Sequence, residues 1–184
     1  MPPPAAVVCA SLALPADPEL DELLGDVAAG MLRGELARRA RRWAAAVAPG
    51  AAVEAGGLEA AGAALHDHVG PVLLASPDVP GLDLGLAAAA LADLEAGALA
   101  VVAPAWVGGA YLVGVPAADP ERLALAELGF EALLAAVDGE VGMLRAERRL
   151  VTVADARAVA ADPLTPLELG LPLAAGLRVR MREG

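Results

Sequence analysis

The sequence contains no lysine, asparagine, glutamine or isoleucine, and aromatic residues make up 2% of its 184 positions. Lysine, asparagine and isoleucine use A/T-rich codons, so base composition of the gene is the simplest source of the bias, and no function is drawn from it. The bias still dictates the interior: with 58% hydrophobic residues and almost no rings, Ala, Leu and Val must fill the core. Cys9 is the single cysteine, which excludes an internal disulfide and a multi-cysteine zinc site and suits a reducing cytoplasm. Its neighbours Val7, Val8 and Ala10 place it in a strand interior as a buried, slow-reacting thiol. Positive charge is scarce. A net charge of −11 and a pI near 4.5 argue against a nucleic-acid partner, which requires a dense cationic face. One arginine cluster stands out, Arg33, Arg38, Arg39, Arg41 and Arg42, and reads as a solvated helix face; the alternative is a surface that meets phosphates or an acidic partner. No Lys or Arg precedes the first apolar stretch, which makes it a poor secretion signal, and a cytoplasmic location is expected.

The length suits one domain, 1–184, with chain enough to bury a core. A mean hydropathy of +0.59 calls for a membrane check, and Ala96 to Ala118 is an uncharged run long enough to span a bilayer. Pro104, Gly108, Gly109, Gly114 and Pro116 interrupt it, so two short strands around a loop describe it better than a membrane helix.

Residues 5–13 read as a buried first strand. A helical pattern follows through Leu20, Leu24, Val27 and Met31, then Leu32, Leu36, Ala40, Trp43 and Val47, ending at Pro49-Gly50. Gly25, Gly30 and Gly34 each cost this helix roughly 1 kcal/mol relative to Ala, so one broken helix and two shorter ones both fit. Ala51 to Glu54 is a strand candidate, Leu58 to His66 a short helix, and Pro71 to Ser76 a stronger strand. Asp83 stands as N-cap before a helix at Leu84 to Leu94. Ala98 to Ala103 and Tyr111 to Val115 read as strands, and Pro120 to Val137 as a helix. Val141 to Leu144 and Leu150 to Val153 read as short strands, Ala154 to Ala161 as a helix, and the proline-rich segment 163–184 as a weakly structured tail. Alternation of apolar strands and helices predicts an α/β fold, a three-layer α/β/α sandwich around a largely parallel sheet. Ligands of such sheets bind beyond the carboxyl ends of the strands, here the loops after Ser76 and after Ala103.

Those loops carry a resemblance. The stretch Ser76-Pro77-Asp78-Val79-Pro80-Gly81-Leu82, and then Pro104-Ala105-Trp106-Val107-Gly108-Gly109-Ala110-Tyr111-Leu112-Val113-Gly114, resembles two motifs of a bacterial glycosyltransferase-like family with the nucleotide-diphospho-sugar transferase fold (GT-A, Rossmann-like). The first motif there reads Gly-Ser/Thr-Asp-x-Pro-x-Leu and the second Pro-x-x-Asp-Gly-Gly-x-Tyr-Leu-Ile/Val-Gly. Order and spacing make the likeness specific from about Val69 to Val115. Related nucleotidyltransferases of cofactor biosynthesis share the plan. The resemblance implies a transferase using a nucleotide-sugar or nucleotide donor, with Mg²⁺ or Mn²⁺ held beside the diphosphate. It places Ser76, Asp78, Trp106, Gly108, Gly109 and Tyr111 at the nucleotide and sugar site, with Asp78 as the metal-side carboxylate. The paired glycines would admit a substrate close to the backbone.

Three departures bear on activity. The family's first loop carries a Gly-Arg-x-Lys-Thr-Arg type phosphate-binding pattern, whereas Ala10 to Asp21 contains acids and no base. Val107 replaces the carboxylate before Gly108-Gly109. The late Asp-x-Asp-Thr segment appears as Arg149-Leu150-Val151-Thr152. One carboxylate is too few to hold a divalent cation without waters and phosphates to complete its shell. Two readings of function therefore stand: a working transferase, or a catalytically degenerate member that binds or assembles without transfer.

Other constellations are weaker. His66-Asp67-His68 has no third ligand and reads as a solvated helix end. Ser11 and Ser76 are the only serines, and neither sits in a nucleophile-elbow pattern. Trp106 either stacks on a base or sugar or fills the pocket left by the missing acid. Asp78 either faces a metal or holds its own loop through hydrogen bonds.

Overall fold

A computed structural model describes residues 1–180. Strands β1 (Ala5–Cys9), β2 (Ala52–Ala55), β3 (Val72–Ala75), β4 (Ala100–Pro104), β5 (Ala110–Val115) and β6 (Val141–Met143) form one sheet in the order β2-β1-β3-β5-β4-β6. Parallel pairing joins β2 to β1, β1 to β3 and β4 to β6, while β5 runs antiparallel to both β3 and β4. Every strand except β5 therefore points the same way, and β3 and β4 end at one edge of the sheet. This is the expected α/β architecture with one reversed strand. The uncharged run that met the length of a bilayer is the β4–β5 pair, and no helix among the described residues is long and apolar enough to cross a membrane.

Side-chain alternation along the strands sorts the apolar residues onto two faces. Ala6, Val8, Leu73, Ala75, Val101 and Ala103 pack against α1 (Pro18–Val47) and α3 (Leu84–Ala96). Ala5, Val7, Cys9, Val72, Leu74 and Val113 pack on the other side against α2 (Leu58–Ala64), α4 (Pro120–Ala124) and α5 (Phe130–Ala136). Cys9 is fully buried, its Sγ 3.1 Å from Ser11 Oγ. The first strand is shorter than the apolar run that predicts it: a 3₁₀ turn at Ala10–Leu12 ends it at Cys9. The predicted helix over 120–137 breaks into α4, a 3₁₀ turn at Leu125–Glu127 and α5, with Gly129 as the N-cap of α5.

Two further expectations are corrected. Leu150 to Val153 is no strand: Leu150 and Val151 are buried in an irregular segment, and Val153 already begins α6 (Val153–Ala161), capped by reciprocal Thr152–Asp155 hydrogen bonds. The segment after Pro163 is not a weakly structured tail over its described part. It carries α7 (Leu167–Arg180), whose Leu169 and Leu173 are fully buried in a third cluster with Leu20, Leu32 and Leu36 of α1 and Val159 of α6. Residues 181–184 lie outside the described residues.

The arginine face of α1 is solvated, as expected, and most of its guanidinium groups are also paired. Arg33 bonds Asp21, Arg41 bonds Glu54, and Arg38 and Arg42 share the buried carboxylate of Glu35.

Candidate functional site

The loops leaving β1, β3, β4 and β6 converge at the common edge of the sheet, where the sequence places the chemistry. At their centre is Arg149, which is 2% exposed. Its Nε donates to Asp78 Oδ1 and Oδ2 at 3.0 and 3.1 Å, and one Nη donates to Oδ2 at 2.8 Å. The same guanidinium reaches Ser76 Oγ at 3.0 Å, the Gly108 carbonyl oxygen at 3.1 Å and the carbonyl oxygen of Leu12. One side chain thus ties together three loops.

Asp78 is saturated by these partners. Ser76 Oγ donates to its Oδ1 at 2.6 Å and the Leu14 backbone N–H to its Oδ2 at 3.1 Å. Two carboxylate oxygens offer about four lone-pair positions, and Ser76, Leu14 and the two guanidinium N–H groups fill them. The structure therefore brings Ser76 and Asp78 together as the sequence suggests, but around a guanidinium. The divalent cation implied by the resemblance does not fit this donor set: a metal at Asp78 would have to displace Arg149, and among the described residues no group of three or more His, Cys, Asp or Glu side chains could hold a metal ion.

The remaining predicted residues separate. Gly108 and Gly109 both have φ of 76°, in the left-handed region. A Cβ on Gly108 would stand 2.4 Å from Leu14 Cδ1, so the close approach it permits is to the first loop of its own chain, not to a substrate. Tyr111 is buried in the core; its hydroxyl donates to the Arg145 carbonyl oxygen at 3.1 Å, and burial, reinforced by nearby Glu147, pushes its pKa well above the usual phenol value. It is a structural residue. Trp106 is 63% exposed and fills no pocket; Arg148 lies over its ring at 4.5 Å from the centroid and is held by Asp155 at 2.8 Å. His66 and Asp67 are exposed at the end of α2, paired with each other.

Sequence reasoning missed the role of Arg149. The signal was present, since the resemblance sets Arg149 where its motif has an acid, and a base there can act as a counter-ion to Asp78 within the chain. Leu14, whose N–H reaches Asp78, carried no such signal.

Next to this cluster lies a cleft of about 330 Å³ at the ends of β1, β2 and β3. Val8, Leu14, Leu36, Pro77 and Val151 give it a mainly apolar lining. Its charged lining consists of Asp78, Arg33 and Glu54, each already paired, with Arg149, Asp21 and Arg41 respectively.

No family model and no curated protein matches the chain. Among solved structures, it is similar to a crystal structure from Desulfovibrio desulfuricans G20 that is provisionally described as a nucleotide-diphospho-sugar transferase. The TM-score is 0.67 over 98% of this chain and 94% of that one, at 19% identity. A homologue, from Mycobacterium sp. strain JC1, of a Mycobacterium tuberculosis protein aligns over 96% of this chain and 98% of its own at 19% identity, with a TM-score of 0.46. At such identity the first likeness establishes the fold, that of the nucleotide-diphospho-sugar transferases.

Proposed function

We propose that this protein keeps the scaffold of a nucleotide-diphospho-sugar transferase but acts as a binding or assembly protein without metal-dependent transfer. The Arg149–Asp78 pair carries this reading. In a working transferase of this kind a carboxylate at the end of the third strand would help hold a divalent cation against the donor diphosphate. Here a guanidinium from the chain itself neutralises that carboxylate, and its donors are spent on Asp78, Ser76 and the Leu12 and Gly108 carbonyl oxygens. The cleft adds support, because it offers a diphosphate no unpaired cation among the described residues.

Calorimetric titration tests the proposal, using UDP-, GDP- and CDP-linked sugars with Mn²⁺ and again with a chelator. Weak or absent binding, unaffected by the metal, is expected. Micromolar binding that disappears with the chelator would overturn the reading and restore the transferase. A ligand bound at a hundred times its dissociation constant would also stabilise the fold by about 2.7 kcal/mol, so melting curves provide a second readout.

A further inference from the structure

Within the arginine cluster of α1, Arg39 differs from its neighbours. Arg33, Arg38, Arg41 and Arg42 each contact a carboxylate, whereas no carboxylate among the described residues is within ion-pair distance of Arg39. Its one hydrogen bond is long, from Nη2 to the Pro80 carbonyl oxygen at 3.3 Å, and its Nε–H is buried without an acceptor. A guanidinium has five donors to satisfy, so this one is poorly bonded where it stands. Because Arg38 and Arg42 share Glu35, Arg38, Arg39 and Arg42 together outnumber the local carboxylate charge, on a chain whose net charge is −11.

Arg39 and Arg42 open onto a cavity of about 290 Å³ whose other walls include Trp43, Leu82 and Leu84. Asp83 also borders it, but its Oδ1 accepts the Leu86 N–H at 2.8 Å and its Oδ2 accepts Arg145 at 2.7 Å, so its charge is already engaged. Trp43 is buried and donates its indole N–H to the Asp83 carbonyl oxygen at 2.9 Å, leaving the ring as apolar wall.

We infer that this cavity binds a small organic anion, a phosphate or carboxylate group on an apolar body. The anionic group exchanges Arg39's long bond to Pro80 for charge-assisted hydrogen bonds, with Arg42 at the rim, and the body lies against Leu82, Leu84 and Trp43. The site shares no lining residue with the cleft beside Asp78, so it stands or falls independently of the function proposed above.

The test uses Trp106→Phe protein, in which Trp43 is the one remaining tryptophan. Phenyl phosphate, benzoate and inorganic phosphate are titrated at constant ionic strength while Trp43 emission is followed. A saturable change with phenyl phosphate or benzoate, weaker with inorganic phosphate, is expected. Arg39→Ala should weaken binding about tenfold or more, and Arg39→Lys, which keeps the charge and loses the fork, should also weaken it. Arg122→Ala, on the opposite face of the sheet, should leave it unchanged. Melting curves establish that each variant is folded. A response that follows ionic strength alone, one that persists in Arg39→Ala, or inorganic phosphate binding as tightly as phenyl phosphate would overturn the inference.

Discussion

Arg149 and Asp78 show what a buried ion pair does in a small domain. Taking both charges out of water costs several kcal/mol per ion, and their attraction offsets this only with good geometry and satisfied hydrogen bonds. Both conditions hold, because Ser76, Leu14, Leu12 and Gly108 supply the remaining partners. Asp78→Ala would leave the guanidinium buried among neutral acceptors. It should therefore destabilise the protein by about 3–5 kcal/mol, a large part of the 5–15 kcal/mol typical of a whole domain. Pairing it with Arg149→Met should recover part of that loss, so denaturant unfolding of the two single variants and the double should show coupling of roughly 1 kcal/mol or more. Additivity within about 0.5 kcal/mol would mean the pair is incidental. The sequence made Asp78 and Ser76 legible because loops at the carboxyl ends of strands carry the chemistry of such folds. It could not reveal that they close on Arg149, 71 residues from Asp78, because that contact depends on how the last third of the chain folds back.

At the scale of elements, the glycines of α1 separate backbone roles that composition leaves mixed. Gly25 sits at φ 72° and ψ 157°, a conformation reserved almost wholly for glycine, and it bends the helix so that Leu20 and Leu24 join Leu32 and Leu36 against α7. Gly34 is helical, exposed and has open space where a Cβ would be. The same substitution should therefore have opposite signs: Gly25→Ala costs about 1–3 kcal/mol, and Gly34→Ala gains roughly 0.4–1 kcal/mol by restricting the unfolded chain. Thermal unfolding of the two variants decides this, and loss of stability in both, or gain in both, would refute the assignment of the bend. Elements with a local signature were legible, α3 best of all, since Asp83 caps it as its position suggests, accepting the Leu86 N–H. Those without one were not. Leu150 packs with the leucines of α1 and with Val159 of α6, and Val151 is buried beside it, a burial that mimics a strand, while Pro172 concealed the Leu169–Leu173 spacing of α7.

For the whole molecule, alternation of strands and helices sufficed for the architecture, while the reversal of β5 needed the short Trp106–Gly109 turn to be recognised as too brief for a parallel crossover. Charge is the other global property, and it predicts how stability responds to pH. At neutral pH the net charge of −11 disfavours the compact state by self-repulsion, which should ease as carboxylates protonate towards the pI near 4.5. Opposing this are carboxylates that fold into favourable surroundings. Burial of Asp155 resists ionisation, but hydrogen bonds from Thr152, Arg148 and the backbone outweigh it, and its pKa lies below the ordinary 3.8. Asp83 is lowered in the same way, with Arg145 overcoming its partial burial. A carboxylate depressed on folding contributes stability that is fully present above its unfolded value and is lost as pH falls through its folded value. Melting temperature should therefore rise modestly between pH 6 and about 5 as repulsion eases, then fall once the pH drops below 3.8. Added salt at about 0.5 M should flatten the rise by screening surface charge while leaving the acid fall largely in place, since the Asp155 pair is mostly buried. Asp155→Asn should make the acid limb shallower by up to about one proton. A steep loss beginning above pH 5, or an acid limb unaltered in Asp155→Asn, would show that other groups govern the transition.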